Sequence, residues 1–367
     1  MGAKVAGEST DSTARSSSLI DDADNPVWSS RQIAEIPAVD GHDHLLVLSD
    51  ETLLYWAKYR HQTMTILRID PKTQKHTAVE CPLSDPCWMV RVATDSILVA
   101  QGADTEREQR GSFVLWNPVM HTTQRVDGEP PNAATPAWDR LGDQIYMITN
   151  ARFAASSAGF DCVMDHTQFG IFDVTSGQFS TPFHRVADTD ARQLVVQNQG
   201  DIIVFGYGRA NCFIDLVQPN FRPVSAHKEN QGFNFDLTHS YGARCIGADS
   251  RRALLVVGDN GDNDQAECAL MRWTRDQGCF EVIGRWVGMY YRCSTMLSDG
   301  STLIFCRQRT TNTIHILKHA PGSKLAFVGR LEGIPVHTAV QSENGAVFIK
   351  SNQSVHQIHP PSWSSHA

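Results

Sequence analysis

Residues 113–131 read FVLWNPVMHTTQRVDGEPP. Phe113, Val114, Leu115 and Trp116 make a short apolar strand, Asn117-Pro118 opens a turn, and Gln124-Arg125-Val126 belongs to a second strand. Asn opens a turn by bonding the backbone just ahead of it, and Pro does so by presetting φ. A single hairpin of this kind says little; its recurrence decides the fold.

The same pattern stands earlier, with Leu67-Arg68-Ile69-Asp70-Pro71 followed by Thr77-Ala78-Val79. It returns at residues 170–179, 212–224, 270–282 and 314–328, and ends at Val355-His356-Gln357-Ile358-His359, where Pro360-Pro361 leaves no partner strand. Another hairpin precedes each of these. Its turns fall at Asp50-Glu51, Asp95-Ser96, Gly142-Asp143, Gly200-Asp201, Asp249-Ser250, Asp299-Gly300 and Asn344-Gly345, in steps of 45, 47, 58, 49, 50 and 45 residues. A period near 40–50 residues with four strands per unit is the signature of a propeller blade. The expected fold is therefore an all-β propeller of seven four-stranded blades, or six if one unit is an excursion of its neighbour. A lone sheet cannot cover both its faces, whereas sheets stacked in a ring can. The last unit lacks an outer strand, and residues 31–37 (RQIAEIP) offer one; that N-terminal clasp would close the ring and remove two open edges.

Composition bounds the rest. Residues 1–28 are rich in Ser, Asp and Ala and read as a disordered tail, residues 29–361 as one propeller domain, and residues 362–367 as a frayed end. The net charge is −8 with no basic stripe, which argues against a nucleic-acid partner. No apolar run approaches the roughly 18 residues that cross a membrane, and the first residues lack the hydrophobic core of a secretion signal. The nine cysteines are scattered without CxxC spacing, as expected of small strand hydrophobes in a reducing cytoplasm.

In an up-and-down blade, the loops between second and third strands share a rim with the segments leading into the innermost strands. Three such loops are long: residues 103–111 (ADTEREQRG), 151–166 (a candidate lid) and 258–267 (GDNGDNDQAE). The segments leading inward carry Trp88, Trp138, Phe235, Tyr241, Tyr290 and Tyr291, with Arg192, Arg292, His239 and His337 among them. Aromatic walls with a few orienting polar groups suit a pocket for an apolar small molecule; core packing between blades is the plainer role for the same rings. His44, His239 and His337 come from three blades and are the metal candidates, although fifteen histidines will place some near any axis. Asp259, Asp262, Asp264 and Glu267 could hold calcium, but they lack the EF-hand pattern and read first as a solvated loop. G-x-S-x-G and G-x-G-x-x-G are absent, so the reading leans away from an enzyme, and no cofactor is expected.

The Leu115-Trp116-Asn117-Pro118 turn with Pro130-Pro131, and the Asp70-Pro71-Lys72-Thr73 and Asp173-Val174-Thr175-Ser176-Gly177 turns, resemble the blade hairpins of F-box-associated and kelch-like propellers. The chain as a whole is similar to the propeller proteins of fungal secondary-metabolite clusters, the trichothecene toxin cluster among them. That resemblance implies a terpenoid ligand and a part in toxin production or virulence. The composition alone leaves a protein-interaction platform as the alternative, and a His-ligated metal-dependent hydrolase or oxygenase as a second.

Overall fold

A computed structural model describes residues 26–37, 42–58, 65–83, 86–101, 112–127, 137–152, 164–186, 190–196, 201–207, 212–215, 220–223, 240–246, 253–258, 267–274, 279–308, 311, 313–320 and 323–361. The described strands form seven four-stranded antiparallel sheets, each an up-and-down meander. No described sheet is an excursion of its neighbour.

Blade 1 runs from its innermost strand outward as His42–Val47, Leu53–Lys58, Thr65–Asp70 and Lys75–Ala78. Blade 2 is Pro86–Ala93, Ser96–Gln101, Ser112–Asn117 and Thr122–Val126. Blade 3 is Ala137–Leu141, Gln144–Arg152, Met164–Asp173 and Gln178–Val186, and blade 4 is Asp190–Val196, Asp201–Tyr207, Cys212–Asp215 and Asn220–Pro223. Blade 5 is Ser240–Ile246, Ala253–Gly258, Glu267–Thr274 and Cys279–Val287. Blade 6 is Met289–Met296, Thr302–Gln308, Ile314–His319 and Ala326–Leu331. Blade 7 is Thr338–Gln341, Val347–Lys350 and Ser354–His359, and its outer strand is Ser29–Glu35 from the other end of the chain.

The second strands explain their own composition. Leu53, Leu54, Tyr55, Trp56 and Ala57 are all buried, with no polar alternation, because both faces of the strand are covered. Leu53, Tyr55 and Ala57 pack toward blade 7 with Phe348 and Val355. Leu54 and Trp56 pack toward blade 2 with Met89, Ile97 and Trp116. The same logic joins Leu98 and Phe113 of blade 2 to Met147 and Phe172 of blade 3. It also joins Leu270 of blade 5 to Ile304 and Leu317 of blade 6, and Ile314 and Phe305 of blade 6 to Ile349 of blade 7. The innermost strand of blade 4 lies against those of blades 3 and 5. The seven sheets thus form a closed ring.

The outer turns share one side-chain chemistry. In Asp70-Pro71-Lys72-Thr73-Gln74, the Asp70 carboxylate accepts from the Lys72 and Thr73 amides, and the Gln74 amide donates to the Asp70 carbonyl. Asn117 accepts from Val119 and Met120, and Asp173 from Ser176. Gln74, His121 and Gly177 each close their turn at positive φ. The inner turns repeat too: Asp50 accepts from Thr52, Asp299 from Ser301 and Asn344 from Ala346, with Glu51, Gly300 and Gly345 at positive φ.

Residues 26–28 lie ahead of residue 29, the boundary expected from composition, and are among the described residues. The Trp28 amide donates to the Arg330 carbonyl and the Arg330 amide to the Pro26 carbonyl, so residues 26–28 pair with the outer strand of blade 6 before the clasp reaches blade 7. Trp28 is 9% exposed and its indole Nε1 donates to the Val328 carbonyl at 3.1 Å. The clasp strand itself is Ser29–Glu35 rather than 31–37, and it pairs with His359 through Ser354.

Candidate functional site

The meander sorts the connections onto two rims. The turns between first and second strands and between third and fourth strands lie on one, and the connections between second and third strands lie on the other, with the segments that lead into the innermost strands.

Among the described residues, bonds from blade to blade cross five of the seven seams at the turn rim. Ser49 donates through its amide and hydroxyl to Asp95, linking blades 1 and 2. Arg140 of blade 3 donates to the Val92 carbonyl of blade 2. The Val196 amide of blade 4 donates to Asp139 of blade 3 at 2.8 Å. Ser298 of blade 6 donates to Gln341 of blade 7, and Asn344 of blade 7 donates to Glu51 of blade 1. Inside this belt Arg91 is half-buried; burial lowers its pKa, Asp95 and Glu343 oppose that, and Arg140 lowers it further. Charges from blades 2, 3 and 7 therefore meet at the turn end of the channel.

The loop rim differs. In four of the seven blades an extra residue interrupts the ladder near the loop-rim end of the innermost strand. Register shifts fall between Pro86 and Trp88, Ala191 and Gln193, Ser240 and Gly242, and Tyr291 and Cys293. The unpaired residues are Cys87, Arg192, Tyr241 and Arg292. A bulge of this kind bends the strand and re-aims side chains.

Blade 6 shows the consequence. Tyr291 packs against the seam with blade 5, beside Met289 and Cys306, and its hydroxyl lies 3.1 Å from that of Ser294. Cys293 is buried in the opposite seam with blade 7. Strict alternation would put Tyr291 and Cys293 on one face; the extra residue Arg292 reverses it. Tyr291, expected at the channel mouth, is thus interblade packing. Tyr290 is opposite Arg307, which is opposite Ile314 in the blade 6–7 seam, so this row faces blade 7. Burial lowers the Arg292 pKa, and the Arg307 guanidinium beside it lowers it further. No carboxylate among the described residues pairs with Arg292.

Trp138 stands in the short innermost strand of blade 3, 37% exposed, and is among the few large apolar side chains open to solvent among the described residues. His337 is half-buried, and its Nε2 lies 2.7 Å from Asn352 Oδ1 on the turn after Lys350. The backbones of Trp88, Arg192 and Tyr241 lie in innermost strands, but their side chains, and all of Phe235 and His239, lie outside the described residues. Of the metal candidates, His44 stacks on Trp56 at 4.9 Å in the blade 1–2 seam, and His337 bonds Asn352. Among the described residues no three His, Cys, Asp or Glu side chains gather as a metal site. Asp259, Asp262 and Asp264 lie outside the described residues, while Glu267 pairs with Gly258 in the blade 5 ladder. The candidate lid narrows, because Ala151 pairs with His166 and Arg152 with Met164; residues 153–163 lie outside the described part.

Composition gave no sign of the buried histidines. His315 and His319 lie inside blade 6, and the His315 ring meets Phe327 at 5.4 Å while its Nε2 lies 3.1 Å from Gln308 Oε1.

No protein-family model matches the chain, and no curated protein matches it. Solved structures do. The WD40 repeats of RRP9 align with a TM-score of 0.56 at 9% identity, covering 91% of this chain and 98% of that one. A streptogramin B lyase structure aligns at 0.55 and 11% identity, covering 91% and 98%. A chain of a mitotic checkpoint complex aligns at 0.53 and 10% identity, covering 98% and 96%. At such identities the likeness is one of fold: the chain is a β-propeller with four-stranded blades.

Proposed function

We propose that this chain is a binding propeller, a protein-interaction scaffold that engages its partner through the loop rim around the channel mouth. One observation carries the reading: unpaired residues recur at the loop-rim end of four innermost strands, at Cys87, Arg192, Tyr241 and Arg292. Bulges of this kind are common beside binding and active sites. The turn rim, by contrast, spends its polar groups on its own turns and on the neighbouring blade. That a propeller chain of similar fold belongs to a mitotic checkpoint complex supports a role in assembly by analogy.

A second reading, an apolar small molecule at the mouth, is favoured by the exposed indole of Trp138 near the start of the innermost strand of blade 3. Its narrowest form follows the resemblance to fungal secondary-metabolite propellers, with a terpenoid as ligand and a role in virulence.

The test compares wild type, Trp138→Ala and the turn-rim variant Asp143→Ala as baits in the native cell extract. Reproducible partners retained by wild type and Asp143→Ala but lost from Trp138→Ala support the scaffold. Equal retention by all three contradicts a loop-rim site. Quenching of tryptophan fluorescence across a terpenoid panel decides the small-molecule reading.

A further inference from the structure

The inner turn of blade 7 departs from its counterparts in its charge. Asp50 and Asp299 open the inner turns of blades 1 and 6, and each pairs with a cation on the third strand of its own blade, Arg68 or Lys318. In blade 7 the opening residue is Asn344, and Gln357 holds the matching place on the third strand. Register fixes that match: Arg68 is opposite Leu54, Lys318 opposite Leu303 and Gln357 opposite Phe348, each partner lying four residues past the turn residue. A charged pair is thus replaced by a neutral one. The Asn344 side-chain amide donates instead to Glu51 of blade 1 at 2.6 Å, across the seam where the first and last blades meet.

Asn344 is exposed and is followed by Gly345. An asparagine side-chain amide is open to attack by the backbone nitrogen of the next residue, and glycine leaves that approach clear because it has no Cβ. A Cβ built at Gly345 would have only Gln341 Nε2, at 3.9 Å, within 4 Å, so the turn itself adds no obstruction. The amide carbonyl is polarised: the Ala346 N–H and the Ser342 hydroxyl donate to Asn344 Oδ1 at 3.0 and 2.6 Å. Donors so placed stabilise the negative charge that gathers on this oxygen as the nitrogen adds. The contact that has to open first is the bond from the Gly345 amide to the Ser342 carbonyl, 3.0 Å long.

We propose that Asn344-Gly345 is a deamidation site whose conversion severs the hydrogen bond between blades 7 and 1. The Gly345 nitrogen gives up its proton and bonds to Cγ of Asn344; the Cγ–Nδ2 bond breaks, and Nδ2 leaves as ammonia with that proton. Water then opens the cyclic imide and leaves aspartate or isoaspartate at position 344, with no change of oxidation state. The aspartate keeps the turn, since Asp50 and Asp299 accept the equivalent amide in theirs. It loses the donor to Glu51 and sets a second carboxylate against the first. The isoaspartate also lengthens the backbone inside the turn. The site lies on the turn rim and stands apart from the loop-rim function.

The experiment holds the full chain in mildly alkaline buffer and maps its peptides by mass spectrometry over time. The peptide carrying residue 344 is expected to gain one mass unit several-fold faster than the peptide carrying Asn352, an exposed turn asparagine whose next residue, Gln353, bears a side chain. The second Asn-Gly pair of the chain, Asn260-Gly261, lies outside the described residues and is read in the same maps. Asn344→Asp stands for the aspartate product and should melt about 1–2 °C below wild type. Adding Glu51→Gln gives the new carboxylate a donor across the seam and should restore most of that loss. Asn344 left intact while Asn260 converts, or intact throughout, overturns the proposal, and so does conversion at 344 no faster than at 352. An Asn344→Asp protein that melts with wild type, or that Glu51→Gln does not rescue, overturns the severed bond.

Discussion

Replacing Gly329 tests the clasp through a residue that touches it from another blade. Gly329 has φ +149°, and a Cβ there would lie 2.5 Å from Trp28 Cδ1 and 2.6 Å from the Pro26 carbonyl oxygen. Gly329→Ala therefore strains the backbone and ejects the indole, which we expect to cost about 2–3 kcal/mol. Trp28→Ala empties the same site directly. Large-to-alanine changes at buried aromatics cost about 3–5 kcal/mol, and Trp28, at the sheet edge and 9% exposed, belongs at the low end. With an unfolding entropy near 0.8 kcal/mol/K for a chain of this length, 3 kcal/mol lowers Tm by about 4 °C. The decisive figure is the coupling. Once Trp28 is absent, Gly329→Ala has no ring to displace, so the double variant should be more stable than the sum of singles by about 1–2 kcal/mol. Urea unfolding and calorimetry read all four proteins. Strict additivity, or a Trp28→Ala melting point equal to wild type, would refute the docking of residues 26–28 on blade 6.

Other perturbations address the belt, the pH response and the rim. Asp139→Ala removes the acceptor of the buried Val196 amide between blades 3 and 4, and should cost about 1–3 kcal/mol by urea unfolding, with Asp139→Asn recovering part. Hydrogen bonds from Ser301 and then Lys318 hold the Asp299 carboxyl down to about 2, so its contribution to stability is present above its ordinary 3.8 and lost as pH falls through about 2; Asp299→Asn should flatten that acid limb in a melting series against pH. Burial lowers the His356 pKa below 6.5, so the folded chain resists protonation there and stability falls as pH drops from 6.5 through the depressed value; His356→Gln, which keeps a partner for Ser354, should remove that slope. Trp138→Ala should change Tm by less than about 1 °C, since an exposed ring contributes little to folding, while reducing partner retention.

Much of this architecture is legible in the sequence because the turns carry their own chemistry. Asp70-Pro71, Asn117-Pro118 and Asp173 announce turns through side chains that bond the next two or three amides, and local bonds need no knowledge of the fold. The spare strand was legible as well, since a final unit ending at Pro360-Pro361 lacks a partner. Trp28 was not, because a lone tryptophan after a polar stretch has no period, and its docking depends on a glycine 301 residues away. The site was less legible than the fold. Alternation fixes a face only while the ladder is regular, and the single extra residue at Arg292 sent Tyr291 into the blade 5 seam. The position of His44 was hidden for a related reason: the ring it stacks on, Trp56, belongs to the next strand and faces blade 2.

The closure of the ring is tested most directly by a disulfide across the clasp. Arg31 and Gln357 are register partners whose side chains meet at 3.0 Å, so Arg31→Cys with Gln357→Cys brings two thiols onto one face of paired strands. The ring predicts that mild oxidation joins positions 31 and 357 in the peptide map and raises the melting point, since the bond closes nearly the whole chain into one loop. A double variant that stays reduced at these positions, or that crosslinks elsewhere with no gain in stability, would contradict a propeller sealed by its two ends.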